Sequence, residues 1–367
     1  MPHDPTPDQT RGQDGCDHGR PDPGRGVDRV LLPAGAADPI LIEVTRGGMV
    51  ESIHRGRAIV VHASGGVEVA FGDTGAPVYP RSANKSLQAL PVVESGAAAA
   101  FAMTDAELAL ACASHGGEEM HTRTAGGLLA RIGLTQADLE CGTHAPYHVP
   151  TWEAMLARGE RPTPLHNNCS GKHTAMLATA VHRGEATRGY VGYSHPVQQR
   201  ILGVMEQITG QDLSRAPWGV DGCSIPTIGL PLEALAFAMA RLADPVDLPA
   251  ARAEAAARIT RAWAAHPAMV GGTGTFDTTF MQTVKGRILI KAGAEGVCCA
   301  VVPEAGLGLA LKIDDGAGRA AGPATAAILH RLGVIGDAEW EALRAIVNPP
   351  ILNRKDFTCG TLRAAAF

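Results

Sequence analysis

The distribution of strand-like and helix-like segments along the chain limits its fold more than any other feature. β-Rich runs lie near both ends, and helical periodicity fills the middle. Residues 40–46, 49–54 and 58–62 are dense in β-formers, and Ser64-Gly65-Gly66 turns into a further strand over 67–71. Near the other end, residues 286–291, 296–302 and 307–313 read as three short strands joined by Gly-containing turns. Between these sets, Thr104-Asp105-Ala106-Glu107 is a capping box opening a helix through Ala113, and a second helix is expected over 118–132. Ser194-His195-Pro196 starts another through Ile208, followed by helices over 231–243 and 250–265. A last helix is expected over 323–332, with a less regular C-terminal stretch after it. A doubly wound protein would alternate strands and helices throughout. This order instead predicts an α+β domain over 39–367 whose mainly antiparallel sheet draws on both chain ends. The expected sheet lobe is 39–80 with 275–345, the helical lobe is 81–274, and a cleft separates them.

Length and composition allow a full hydrophobic core: 367 residues, 45% hydrophobic and 19% charged. A net charge of -5 without a basic stripe argues against nucleic acid as a partner. No segment has the length of an apolar membrane span. Residues 1–38 are rich in Pro, Gly, Asp and Arg and lack the apolar run of a signal peptide, so a disordered tail is expected there. The eight cysteines show no compact disulfide spacing, which fits reduced thiols in a cytoplasmic protein.

Five stretches carry chemistry. In Arg81-Ser82-Ala83-Asn84-Lys85, a helical continuation would put Ser82 and Lys85 one turn apart, and a neutral lysine could then take the serine proton. Lysine is cationic at neutral pH, so its pocket must desolvate it or supply a second cation. Ser114, in Cys112-Ala113-Ser114-His115-Gly116-Gly117, lies at a helix end, where an exposed cap is the plainer reading. Lys291 closes a strand and is followed by Ala292 and Gly293, small enough for a substrate to lie close to the strand. Asn168-Cys169-Ser170-Gly171-Lys172-His173 leads into a helix but lacks the phosphate-loop spacing. Asp221-Gly222-Cys223-Ser224-Ile225-Pro226-Thr227 supplies a second cysteine in a polar loop. The two cysteines could share a soft metal, although no Cys-x-x-Cys pair marks a zinc site by spacing.

A Ser-x-x-Lys, a serine on the next helix and a lysine on a late strand resemble the serine β-lactamase and penicillin-binding arrangement, but the S-D-N triplet is missing and Ala292 follows the strand lysine. A closer resemblance runs from about residue 40 onward. The four motifs just quoted around Ser82, Ser114, Cys169 and Cys223, with His266-Pro267-Ala268-Met269-Val270, occur in the order found in the rhizobial-type L-asparaginase II family. That resemblance implies a β-lactamase/glutaminase-like fold, a homodimer, and hydrolysis of L-asparagine to L-aspartate and ammonia. It pairs Ser82 with Lys85 and Ser114 with Lys291. It implies a Zn²⁺ site formed by Cys169, Lys172 and Cys223, with Asp221 beside it. The zinc is expected to position substrate or stabilise the pocket rather than generate the nucleophile. The i, i+3 spacing favours Ser82 as the attacking residue. Arg81, Asp221 and His173 are the expected substrate-binding residues, with a structural salt bridge as the equal alternative for Arg81. The alternatives left open are a glutaminase, a β-lactam or peptide-amide hydrolase, and a non-catalytic ligand- or metal-binding relative.

Overall fold

The computed structural model describes residues 38–366; the tail expected over 1–38 falls, apart from Asp38, outside the described residues. The sheet does draw on both chain ends, as the sequence predicts, and every pairing in it is antiparallel. Ile40–Arg46 lies between the C-terminal strand Thr358–Ala364 and the long strand Met49–His62. Leu307–Ile313, Val297–Val302 and Leu289–Ala292 follow in that spatial order, and Leu289–Ala292 forms the edge beside the site.

Three boundaries differ from expectation. The break expected between residues 54 and 58 is absent, because Gly56 pairs with Ile313 and carries the strand through. The sheet also extends past residue 345: the helix Asp337–Val347 leads into the strands Pro350–Leu352 and Thr358–Ala364. Within Thr358–Ala364 only Leu362 is buried, so the hydrophobic alternation that marks a strand is too sparse to read. The last expected helix also begins earlier, at Gly318, with Pro323 inside it. Pro323 lacks the N–H that would bond the Arg319 carbonyl, so the helix continues past one unmade bond.

Helices cover the sheet. Val297–Val302 is buried at every residue. The helix Leu232–Ala243 rests directly on the neighbouring strand: a Cβ on Gly308 would stand 2.1 Å from the Ala240 amide nitrogen. Helices Lys85–Glu94, Asp105–Ala111, Ser170–Arg183 and Ala250–Ala265 pack together as the helical part. None of the helices among the described residues is long and apolar enough to cross a membrane.

Candidate active site

The chain enters the site at Pro80 and reverses at Arg81, a non-glycine residue at φ 50°. Arg81–Asn84 forms a 3₁₀ turn, and the α-helix begins only at Lys85. Ser82 and Lys85 therefore span a junction rather than one regular helical face. A left-handed residue costs on the order of 1–2 kcal/mol and persists where its surroundings demand it. Here Arg81 Nε donates to Asp221 Oδ1 at 2.6 Å, which places Arg81 in a salt bridge. On the other side the turn presses on the end of the edge strand. A Cβ on Gly293 would lie 2.9 Å from the Pro80 carbonyl oxygen and 3.3 Å from the Ser82 amide nitrogen. The space beside Gly293 is thus occupied by the Ser82 turn, which corrects the expectation that it admits substrate.

Lys85 is wholly buried, and its amine has three acceptors: the Ala113 carbonyl at 2.5 Å, Ser114 Oγ at 2.9 Å and Cys169 Sγ at 3.1 Å. Burial, aided by the charges of Lys172 and Lys291, pulls it from 10.5 down to about 8, against the opposing pull of the Cys169 and Cys223 sulfurs. About a tenth of such an amine is neutral at pH 7, against less than a thousandth in water. Both serine residues are half-buried while Lys85 and Lys291 lie beneath the surface. Among the described residues, Lys85 bonds Ser114 Oγ and not Ser82 Oγ. Its side chain passes the junction and ends among the acceptors that follow Asp105–Ala111.

The Ser114 segment is fixed from both sides. Ser114 N–H donates to the Val270 carbonyl at 2.9 Å, giving the His266–Val270 motif a structural reason. His115 N–H donates to the Asn168 carbonyl at 3.1 Å. The His115 ring, buried and held well below the usual histidine range by desolvation, donates from Nε2 to Ser170 Oγ at 2.9 Å, because that hydroxyl donates onward to the Leu165 carbonyl. Lys291 is also buried, but its amine donates to the Ala292 carbonyl at 2.8 Å and approaches Asp277 Oδ2 at 3.5 Å. The Ser114–Lys291 pair implied by the resemblance is therefore not in hydrogen-bond contact; Lys85 holds Ser114 and Asp277 faces Lys291.

Cys169, Lys172 and Cys223 do come together. Cys169 begins the helix Ser170–Arg183, and Gly171 lets that helix close on Leu110: a Cβ there would meet the Leu110 carbonyl oxygen at 2.4 Å, a misfit. This close crossing, rather than a phosphate, accounts for the glycine of the Ser-Gly-Lys triplet. Lys172 Nζ donates to Cys223 Sγ at 3.1 Å, and the Cys169 sulfur neighbours the same pair. The bond from Cys169 and the charge of Lys172 outweigh burial and bring Cys223 down to about 5, a thiolate, while Cys169 is pushed up to about 12. Burial alone would lower Lys172, but the two sulfurs and Asp221 hold it above the ordinary lysine range. Two sulfurs and one amine in contact, out of water, form a donor set suited to a soft tetrahedral ion. No three His, Cys, Asp or Glu side chains gather as a cage among the described residues; beside the two sulfurs the third donor is the Lys172 amine.

His173 bonds neither serine among the described residues. It is fully buried, its Nδ1 meets the Tyr190 hydroxyl at 2.7 Å, and its Nε2 has no partner among the described residues. The sequence reasoning missed Asp277 and the Ala113 carbonyl. Asp277 follows the helix cap Thr275 and reads as an ordinary first-turn acid, and a backbone carbonyl leaves no trace in a sequence.

A buried lysine with a depressed pKa bonds a half-buried serine, an arrangement with the parts that nucleophilic hydrolysis needs. The chain belongs to the L-asparaginase II family, whose profile matches residues 42–364, a family of asparaginase-type amide hydrolases. Among solved structures, a β-lactamase from Mycobacterium bovis is similar at 14% identity, covering 75% of this chain and 94% of that one, with a TM-score of 0.39. No match was found among curated proteins.

Proposed function

We propose that the protein hydrolyses L-asparagine to L-aspartate and ammonia through its serine and lysine side chains. The observation that carries this reading is the 2.9 Å contact between Lys85 Nζ and Ser114 Oγ, with Lys85 brought to about 8. Ser82 Oγ has no hydrogen-bond partner among the described residues and is the hydroxyl free to meet a substrate. In this reading Ser82 attacks the side-chain amide carbon and its proton passes through Ser114 to neutral Lys85. The proton then goes to the departing amine, which leaves as ammonia. Water repeats the sequence on the aspartyl ester and restores Ser82. Arg81, held through Nε by Asp221, keeps its terminal nitrogens for the substrate α-carboxylate.

Cys169, Lys172 and Cys223 would hold zinc, with Lys172 giving up its proton on binding. A bound zinc supplies Lewis acidity and a tie between the Cys169 helix and the Cys223 turn. A homodimer and a cytoplasmic setting complete the proposal. Ammonia release from asparagine and from glutamine, measured beside ring opening of a chromogenic β-lactam, tests it. Asparagine turnover at least about tenfold faster than glutamine turnover is expected, since one methylene is worth ~1–3 kcal/mol in a fitted pocket. β-Lactam opening without ammonia release would transfer the site to the alternative hydrolase, and inactivity on all three would favour a binding protein.

A further inference from the structure

We propose that Asp277 is a positioning residue that holds Lys291 as a fixed ammonium, so that Lys291 serves the reaction as a standing positive charge and not as a base. The inference rests on the amide-hydrolase reading and divides the labour between its two lysines.

The two lysines have different company. Lys85 bonds the Ala113 carbonyl, the Cys169 sulfur and the Ser114 hydroxyl; the hydroxyl can also donate a proton to it, and no carboxylate is in contact. Among the described residues Lys291 bonds a carbonyl and a carboxylate, Ala292 O at 2.8 Å and Asp277 Oδ2 at 3.5 Å, neither of which can donate to it. An amine surrounded by acceptors is stabilised as its cation, and a neutral amine would turn its lone pair toward oxygen atoms. The side chains of Lys291 and Asp277 are 1% and 8% exposed, so neither charge is supported by water. A charge buried to that extent requires a partner.

The carboxylate is also anchored independently of the lysine. Asp277 Oδ2 accepts the Ala292 N–H at 3.0 Å, which ties the first turn of Phe276–Thr283 to the end of the edge strand. Thr275 caps that helix, its Oγ1 accepting the Thr278 N–H at 3.3 Å. The strand end so fixed carries Gly293, which packs on the Ser82 turn. Asp277 therefore sets both the charge of Lys291 and the place of that charge beside the turn. A fixed cation there would favour the negative charge that develops on the substrate oxygen during attack.

Steady-state asparagine hydrolysis and thermal unfolding of Lys291→Arg, Lys291→Met, Asp277→Asn and Asp277→Glu test the assignment. Arginine keeps the charge and cannot act as a base. Lys291→Arg is expected to retain kcat within about tenfold, and Lys291→Met to lose about 100-fold or more, the range for removing one charge-stabilising donor. Asp277→Asn should lower kcat by about 10- to 100-fold with KM nearly unchanged, and Asp277→Glu should recover part of the loss. In unfolding, Asp277→Asn should lower Tm far less in the Lys291→Met background than in the wild type, as coupled partners do. A Lys291→Arg enzyme as inactive as Lys291→Met, though folded, would overturn the proposal by making Lys291 a base. Additive Tm losses would overturn it by removing the pair. A wild-type protein that releases no ammonia would refute the amide-hydrolase reading instead, and the unfolding cycle would still decide whether Asp277 holds Lys291.

Discussion

Gly293→Ala perturbs the contact between the edge strand and the Ser82 turn without removing any polar side chain. The added methyl would meet the Pro80 carbonyl oxygen at 2.9 Å, the Ala83 amide nitrogen at 3.0 Å and the Ser82 amide nitrogen at 3.3 Å. Comfortable separations begin near ~3.5 Å, so the turn must move by roughly half an ångström. A displacement of about 1 Å at reacting groups costs about 100-fold in rate, and half of that should cost about tenfold in kcat. Overpacking of this kind also destabilises by ~1–3 kcal/mol. Gly127→Ala is the control: it lies inside the helix Glu119–Arg131, and its Cβ would have no neighbour within 4 Å. It should stabilise by ~0.5–1 kcal/mol and leave turnover unchanged. Steady-state kinetics and thermal unfolding read both variants. A Gly293→Ala enzyme with lowered Tm but wild-type kcat would refute the argument that this contact sets the position of Ser82.

Ser82→Ala should abolish ammonia release, whereas Ser114→Ala should leave a residue of activity, about 10²–10⁴-fold down, the usual worth of a positioned proton carrier; steady-state assays compare them directly. Cys223→Ser should lower bound zinc and raise KM far more than it lowers kcat, while Ser82→Ala keeps its metal; elemental analysis beside kinetics checks this. Asp314→Asn should change the pH dependence of stability. Burial and the neighbouring Asp38 push Asp314 from 3.8 up to about 6, so the native state holds the proton longer than the unfolded chain. The wild type therefore loses stability as pH rises from about 4 through 6, and Asp314→Asn should be the more stable above that window by less than about 1 kcal/mol, with no gain at pH 4. Urea unfolding at pH 4 and pH 8 measures it.

Much of the fold and part of the site were legible in the sequence. Ile40–Arg46, Val67–Phe71 and Leu307–Ile313 follow β-rich runs bounded by turn residues, and the capping box at Thr104 does start its helix. The strand Thr358–Ala364 escaped notice because Leu362 is its only buried residue, too little to show an alternation. Spacing suggested that Ser82 and Lys85 would meet on a helix, but the 3₁₀ turn and the length of Lys85 carry the amine to Ser114. Motif order brought Cys169, Lys172 and Cys223 into view, and two separate backbone segments, the start of Ser170–Arg183 and the Cys223 turn, meet where they meet. The Asp277–Lys291 pair was invisible because it joins a helix start to a strand end through tertiary packing alone.

The central claim is covalent attack by Ser82, with Lys85 taking its proton. Its most direct test is mass spectrometry of the enzyme quenched with acid during turnover of L-asparagine, followed by peptide mapping. An aspartyl ester on the peptide containing Ser82, absent from Lys85→Met, is the expected result. Sustained ammonia release with no ester on any serine, or an ester on Ser114, would contradict it.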